Sequence, residues 1–308
     1  MAAASAPGKL ILYGEHAVVF GEPALSTAID LRTEVYARPH EVWLADGMSL
    51  EEPRYGYLKA AAAKAWSGGP LWFEVRSMIP MGSGLGSSAA VTVAALGALQ
   101  SLAGAFDPRE IARLAFEVEH EVQGRASPID TSTATAGAGV LVRRDEGPDL
   151  LWTIRRDTRS WSLHRCDLPD LTLVVGDTGI SAATGPLVAG VMERVNGDPR
   201  AADIVKEIGT ITLDGLRALQ RKDLVAAGRL MDRNHVLLNA LGVGHPRLDA
   251  LVEAARPHAY GAKLTGAGGG GAIVALTDRP EAAGNAIEAA GGRAYLVSSE
   301  REGVRRLP

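Results

Sequence analysis

The chain has 308 residues, 46% of them hydrophobic and 22% charged, with a formal net charge of -4. Those values place it among ordinary globular proteins and exclude a disordered, fibrous or general polyanion-binding class, so no nucleic-acid partner is expected. Its single cysteine, Cys166, excludes an intrachain disulfide and accords with a cytoplasmic location.

The start, Met1 to Pro7, is small and uncharged and does not read as a signal peptide. The apolar stretch from Ala89 to Leu99 is interrupted by Thr92 and Gly97 and is too short to span a bilayer, so no membrane association is expected. In chain order, Lys9–Tyr13 and Val35–Leu44 read as strands, Pro53–Trp66 as a helix and Leu71–Arg76 as a strand. A helix-prone run from about Ser87 to Ala103 follows a glycine-serine loop. Asp107-Pro108 opens a further helix as N-cap and first-turn residue. Gly137–Arg143 and Leu151–Arg155 suggest a hairpin turning through Asp145–Asp149. Leu171–Val175 reads as a strand, and Ala182–Val195, Ala201–Arg221, Asp223–Leu241 and His245–Ala255 carry helical periodicity. The chain ends with a strand (Ala272–Leu276), a helix (Pro280–Ala290) and a strand (Ala294–Val297). This pattern predicts an α+β protein in two lobes meeting between Asp157 and Asp170.

Glycine is abundant, at 36 residues, and clustered. The densest cluster is Pro80-Met81-Gly82-Ser83-Gly84-Leu85-Gly86-Ser87-Ser88-Ala89-Ala90. Glycines let a ligand approach the main chain, and a helix beginning near Ser87 would aim unpaired N–H groups and its dipole at the loop. That combination favours a bound phosphate. The bland alternative is a tight turn capped by serines. The G-x-x-x-x-G-K-[ST] motif and the protein-kinase signatures are absent, and a G-x-G-x-x-G started at Gly82 fails because position 87 is Ser.

The loop resembles the P-x-x-x-G-L-G-S-S-A-A motif of the GHMP kinases, the family of galactokinase, homoserine kinase, mevalonate kinase and phosphomevalonate kinase. Ala6 to Val19 resembles that family's first motif, and Lys263-Leu264-Thr265-Gly266-Ala267-Gly268-Gly269-Gly270-Gly271 its third. Within the family, Gly14 to Gly21, Leu238 to Pro246 and Glu119 to Asp130 resemble the mevalonate-phosphorylating branch in its archaeal or bacterial form. The resemblance implies a ribosomal protein S5 domain 2-like lobe over residues 1–160 and a ferredoxin-like lobe over 161–308. It also implies ATP and Mg²⁺, a small-molecule substrate (mevalonate) and a homodimer.

The same resemblance implies roles. Residues Pro80 to Ala90 would cradle ATP, Ser88 and Glu119 would hold the metal, and Asp130 would face the substrate hydroxyl. Lys9 would lie beside Asp130, where an ammonium favours the ionised carboxylate and steadies charge developing in phosphoryl transfer. Glu15 and His16 would read the substrate's carboxylate and hydroxyls. Thr184 would stand near the γ-phosphate, and Gly266 and Ala267 would close the site. Gly185 departs from the pattern, since many members carry Lys or Arg there.

Each residue also has a plainer reading. Lys9 could be a solvated charge, Glu119 part of a wet helix face, Asp130 a helix N-cap and His16 a buried structural histidine. Sister activities, including phosphomevalonate, mevalonate 3-hydroxyl and sugar kinases, compete with phosphorylation of mevalonate's primary hydroxyl. A non-catalytic ligand sensor on the same fold competes from another class, though Lys9, Ser88, Glu119 and Asp130 are all retained.

Overall fold

The computed structural model describes residues 1–80, 82–124 and 126–308. Strand β1 (Ala2–Tyr13) runs twelve residues and is buried along nearly all of them. Its first half, Ala-Ala-Ala-Ser-Ala-Pro-Gly, has little intrinsic β preference, which is why only Lys9–Tyr13 reads as strand. Its neighbours make it one: β1 is bonded to β2 (Ala24–Pro39) along one edge and to β13 (Arg305–Leu307) on the other.

The opposite edge of β2 pairs first with β6 (Gly139–Arg143) and then with β5 (Leu71–Ser77). The strand expected over Val35–Leu44 is the end of β2, which stops at Pro39. Beyond β5 lie the short strands β3 (Leu44–Ala45) and β4 (Met48–Ser49). Beyond β6 come β8 (Arg159–Cys166) and then β7 (Leu150–Arg156), giving the order β4-β3-β5-β2-β6-β8-β7. The hairpin expected between β6 and β7 therefore does not form. The strand β8, with the sequence Arg-Ser-Trp-Ser-Leu-His-Arg-Cys, inserts between them and pairs with both.

Helices α1 (Gly56–Ala65), α2 (Ser87–Leu102), α3 (Pro108–Gln123) and α4 (Pro128–Ala136) pack on this sheet. The apolar, alanine-rich α2 is buried from Ala89 to Gln100 except for Val91, the place for a helix without a polar face. It shares a core with Ala4, Ala6, Val35, Phe73, Ile111 and Leu114.

The chain leaves the first sheet at Cys166 and enters the second at β9 (Thr172–Asp177). Four helices follow: α5 (Thr184–Gly197), α6 (Pro199–Gln220), α7 (Leu224–Ala240) and α8 (Pro246–Ala255). Then come β10 (Gly261–Thr265), β11 (Ala272–Leu276), α9 (Pro280–Ala289) and β12 (Arg293–Ser298). The antiparallel order β10-β11-β9-β12 is the ferredoxin-like split βαβ arrangement. The protein is thus a two-lobed α+β fold, as the alternation of elements predicts. Helices α6 to α8 lie where their periodicity places them.

The lobes are joined through a common core. Leu10, Leu12, Tyr13 and Ile29 from the first sheet pack with Val175, Leu238, Leu264 and Ile273 of the second lobe. Tyr13 OH donates to the Ala227 carbonyl at 2.7 Å, and Thr265 Oγ1 to the Ile11 carbonyl at 3.1 Å. No helix among the described residues is long and apolar enough to cross a membrane.

Candidate active site

The glycine loop leads straight into α2. Gly82, Gly84 and Gly86 have φ of 76°, 74° and 78°, and no positive φ falls on Ser83 or Leu85 between them. Alternating backbone hands of this kind turn successive N–H groups into one concavity, an anion-binding nest. Gly86 caps α2 without a side-chain bond, so the N–H groups of its first turn have no intrahelical partner and face the same region. The loop is seated on β1: Lys9 N–H donates to the Leu85 carbonyl at 2.9 Å. A Cβ at Gly8 would lie 2.7 Å from that oxygen, and one at Gly86 would lie 2.8 Å from Lys9 Cγ. Only glycine lets strand and loop approach this closely. Ser83 is buried and donates to the Pro80 carbonyl at 2.7 Å, a contact that shapes the loop. Met81 lies outside the described residues.

Three charged side chains converge below the loop. Lys9 Nζ, nearly buried, stands 3.0 Å from Asp130 Oδ2 and 3.5 Å from the Gly84 carbonyl. Asp130 is partly open and sits in the first turn of α4, while the N-cap is Ser127, which accepts from Ile129 N–H. The reading of Asp130 as a cap is therefore corrected: its position near a helix N-terminus favours a carboxylate but leaves the oxygens free for other work. Glu119 lies on the buried stripe of α3 with Ile111, Ala115 and Val118. Its neighbours Glu117 and Glu121 point outward to Arg113 and Lys64. Glu119 accepts from Ser88 Oγ at 2.9 Å. Burial, with the Asp130 charge adding to it, pushes the Glu119 carboxyl up to about 8, against the pull of Ser88 and Lys9.

Two carboxylates facing one ammonium leave the cluster short of positive charge. Ser88 Oγ and Glu119 are hard oxygen donors of the kind Mg²⁺ takes, and a dication there would relieve the desolvated Glu119. The residues present therefore fit the metal. Among the described residues no group of three or more His, Cys, Asp or Glu side chains forms a metal cage. That agrees with the way Mg²⁺ usually binds, through one or two carboxylates with waters and phosphates.

A second group lies just past the end of β1. Gly14 has φ of 97° and His16 φ of 60°, a conformation uncommon for a non-glycine residue and costly by about 1–3 kcal/mol. His16 Nε2 meets the Ala267 carbonyl at 2.9 Å. A carbonyl only accepts, so Nε2 carries the proton and Nδ1 is a bare acceptor. Glu15 is buried against Lys263 of β10. Glu15 Oε2 and His16 Nδ1 are both buried without a partner among the described residues. Lys9 acts electrostatically on Glu15 and on Lys263, so this group borders the first one.

Burial pushes the His16 ring down from its ordinary value. His16 is expected to titrate below the ~6.5 of an exposed histidine, as the Nε2–H tautomer above that midpoint. As pH falls through it, Nδ1 gains a proton and stops accepting. Long-range ¹H–¹⁵N NMR of the imidazole resonances checks both tautomer and midpoint. A midpoint at or above 6.5 contradicts the assignment.

Of the remaining expected residues, Gly266 and Ala267 lie on the turn that receives His16, with Gly266 at φ of 83°. A Cβ at Gly84 would lie 3.9 Å from that of Ala272, the first residue of β11, which follows the third glycine segment. Thr184 is exposed at the first residue of α5 and is not joined by a side-chain hydrogen bond to the groups above; Gly185 beside it is also exposed. Sequence reasoning missed Lys263 as an individual residue. The available signal was a lone lysine inside Gly-Ala-Lys-Leu-Thr, a strand buried at all five positions. Asn234, whose Oδ1 lies 3.5 Å from Gly14 N–H, was missed as well. A separate cleft of about 300 Å³ behind α3, lined by Lys64, Arg113, Phe116, His120 and Ile154 among others, contains none of the converging groups.

Comparison with known proteins fits this geometry. Residues 55–138 match the profile of the GHMP kinases N terminal domain and residues 216–295 that of the GHMP kinases C terminal domain. The chain is 35% identical over 339 residues to the mevalonate kinase of Pyrococcus horikoshii, spanning 98% of this chain and 96% of that one. It is 40% identical over 284 residues to the mevalonate kinase of Methanothermobacter thermautotrophicus, spanning 88% and 89%. Its fold superposes on the Methanococcus jannaschii mevalonate kinase with a TM-score of 0.79, at 26% identity over 96% of this chain and 98% of that one. On the L. major mevalonate kinase in complex with R-mevalonate the TM-score is 0.81, at 27% identity over 97% and 96%. A glycine cradle at a helix start, a lysine–aspartate pair beneath it and relatives matched along almost the whole chain converge: the chain is a phosphotransferase of the GHMP kinase family.

Proposed function

We propose that the protein transfers the γ-phosphoryl group of ATP to the primary hydroxyl of mevalonate. The observation that carries the reading is the Lys9–Asp130 pair, 3.0 Å apart beneath the glycine loop. The loop N–H groups from Gly82 to Ser88 and the α2 N-terminus bind the ATP phosphates. Ser88 and Glu119 hold Mg²⁺, which when bound offsets charge on the phosphate oxygens. Asp130 Oδ2 receives or orients the hydroxyl hydrogen, and Lys9 holds that carboxylate in place while its charge offsets negative charge gathering on the transferring group. Little more is required, because phosphoryl transfer depends mainly on position and charge.

Mevalonate is favoured over the family's other alcohols by the mevalonate kinases that match the chain along almost their whole length and by the acceptors contributed by Glu15 and His16. Glu15 Oε2 and His16 Nδ1 both need donors, so they suit hydroxyl groups. The expectation that this pair also reads the carboxylate is not supported, because a neutral ring with a bare Nδ1 and an acidic side chain offers that group no donor.

The test is turnover of purified protein with Mg-ATP and mevalonate, phosphomevalonate, galactose or homoserine, the phosphate position being read by NMR. Mevalonate is expected to be phosphorylated at its primary hydroxyl. Turnover of another alcohol with none of mevalonate overturns the proposal.

A further inference from the structure

The buried ion pair between Glu15 and Lys263 joins residues 248 positions apart, one from each lobe. Lys263 has no exposed surface, and Glu15 almost none. Such a pair rarely stabilises a protein relative to apolar residues of the same size, so its presence calls for a reason other than stability. Lys263 Nζ takes one oxygen of Glu15 and also donates to the Leu264 carbonyl at 2.6 Å. Two anchors thus fix the ammonium on β10. Glu15 is left with Oε1 engaged and Oε2 buried and free. The next residue, His16, is held by the Ala267 carbonyl, two positions past β10, and has Nδ1 buried and free. Thr265 Oγ1 ties the same strand to the Ile11 carbonyl. Lys263, Thr265 and Ala267 therefore grip the end of β1 and its turn at alternate positions. What they leave unpaired is one carboxylate oxygen and one imidazole nitrogen, both acceptors.

We propose that Lys263 is a positioning residue for substrate recognition: by holding one oxygen of Glu15 it aims the other, beside His16 Nδ1, at the hydroxyl-bearing end of the substrate. The proposal rests on the reading of Glu15 and His16 as substrate contacts. Through it the second lobe sets specificity for a reaction whose charged groups, Lys9, Glu119 and Asp130, and the Ser88 hydroxyl all belong to the first. A site built to hydrogen-bond a hydroxyl discriminates strongly against an analogue lacking it. Loss of the anchor should weaken that discrimination before it affects ATP.

The test compares the parent with Lys263→Met, Glu15→Gln and the double variant, using mevalonate and its analogue lacking the tertiary hydroxyl. Lys263→Met should raise mevalonate KM at least about tenfold, leave ATP KM within about threefold, and cut the preference for mevalonate over the analogue to a few-fold. Lys263→Met strands a buried carboxylate and is the variant most exposed to misfolding. The double variant removes both charges and keeps similar volumes, so its melting temperature should return towards the parent's while KM and the lost preference do not recover. A Lys263→Met variant that folds and keeps the parental KM and preference, while Glu15→Gln loses them, overturns the proposal and leaves Lys263 a structural residue. Failure of the underlying reading looks different: Glu15→Gln alone then has parental KM and preference, whatever Lys263→Met does.

Discussion

Replacing Asp130 by Asn is expected to lower kcat about a thousandfold while ATP affinity changes by less than about threefold. Asparagine has the same shape, and its carbonyl oxygen still accepts from Lys9 Nζ, which now stands 3.0 Å from Oδ2. The first turn of α4 keeps its cap, because Ser127 supplies it. What disappears is the negative charge and the capacity to take a hydroxyl proton. On the proposed function the ATP phosphates rest on backbone N–H groups from Gly82 to Ser88 rather than on Asp130, so nucleotide binding should survive. The Asp130 charge also helps to push Glu119 upward, and removing it eases ionisation of Glu119. The Mg²⁺ requirement should therefore not worsen, which separates this variant from a damaged metal site. Steady-state kinetics at saturating Mg-ATP, with calorimetric titration of nucleotide, measures both quantities. A kcat within threefold of the parent would make Asp130 structural.

Much of the fold is legible in the sequence where local pattern and tertiary context agree. Helices α6 to α8 announce themselves by amphipathic period and by Asp198-Pro199 and His245-Pro246 at their starts. Strand β1 is illegible over Ala2 to Gly8 because nothing in that composition favours a strand. Its extended form comes from β2, β13 and the core beneath it. Strand β8 does carry a short alternation, Ser160-Trp161-Ser162-Leu163-His164, but nothing local shows that it inserts between β6 and β7.

The site divides in the same way. Glu119 could be picked from a run of three acids by its place on the stripe Ile111, Ala115, Val118, which adds a physical reason to the family spacing. The cradle is legible from glycine chemistry, though the alternating backbone hand is not. Pairings over long sequence separations leave no local trace. Nothing near Glu15 reveals a partner in β10, and nothing near His16 reveals that Ala267 selects its tautomer. Thr184 shows the reverse limit: the resemblance assigns it a role near the γ-phosphate, and its exposed place at the start of α5 adds no contact in support.

Lys9→Met is expected to reduce kcat by about 10²–10³, with a smaller change in either KM, because it removes a cation already in place where charge develops. The methionine stem can keep the packing that Lys9 Cγ makes against Gly86, and the backbone bond from residue 9 to the Leu85 carbonyl is untouched. The loop should therefore stay seated, with a melting temperature near the parent's. Lys9 acts on both acidic groups, paired with Asp130 and drawing Glu119 downward, so its loss removes the ammonium that both now face. Lys9→Arg should not restore full activity. The bulkier planar guanidinium has to fit between Asp130, the Gly84 carbonyl and Gly86, where a single ammonium now makes both contacts. Combining Lys9→Met with Asp130→Asn supplies the sharper measurement. Residues that act as one unit lose little more together than the worse one loses alone, so the double variant should be about as slow as Asp130→Asn. If the two losses multiply instead, Lys9 acts directly on the transferring phosphoryl group and independently of the aspartate.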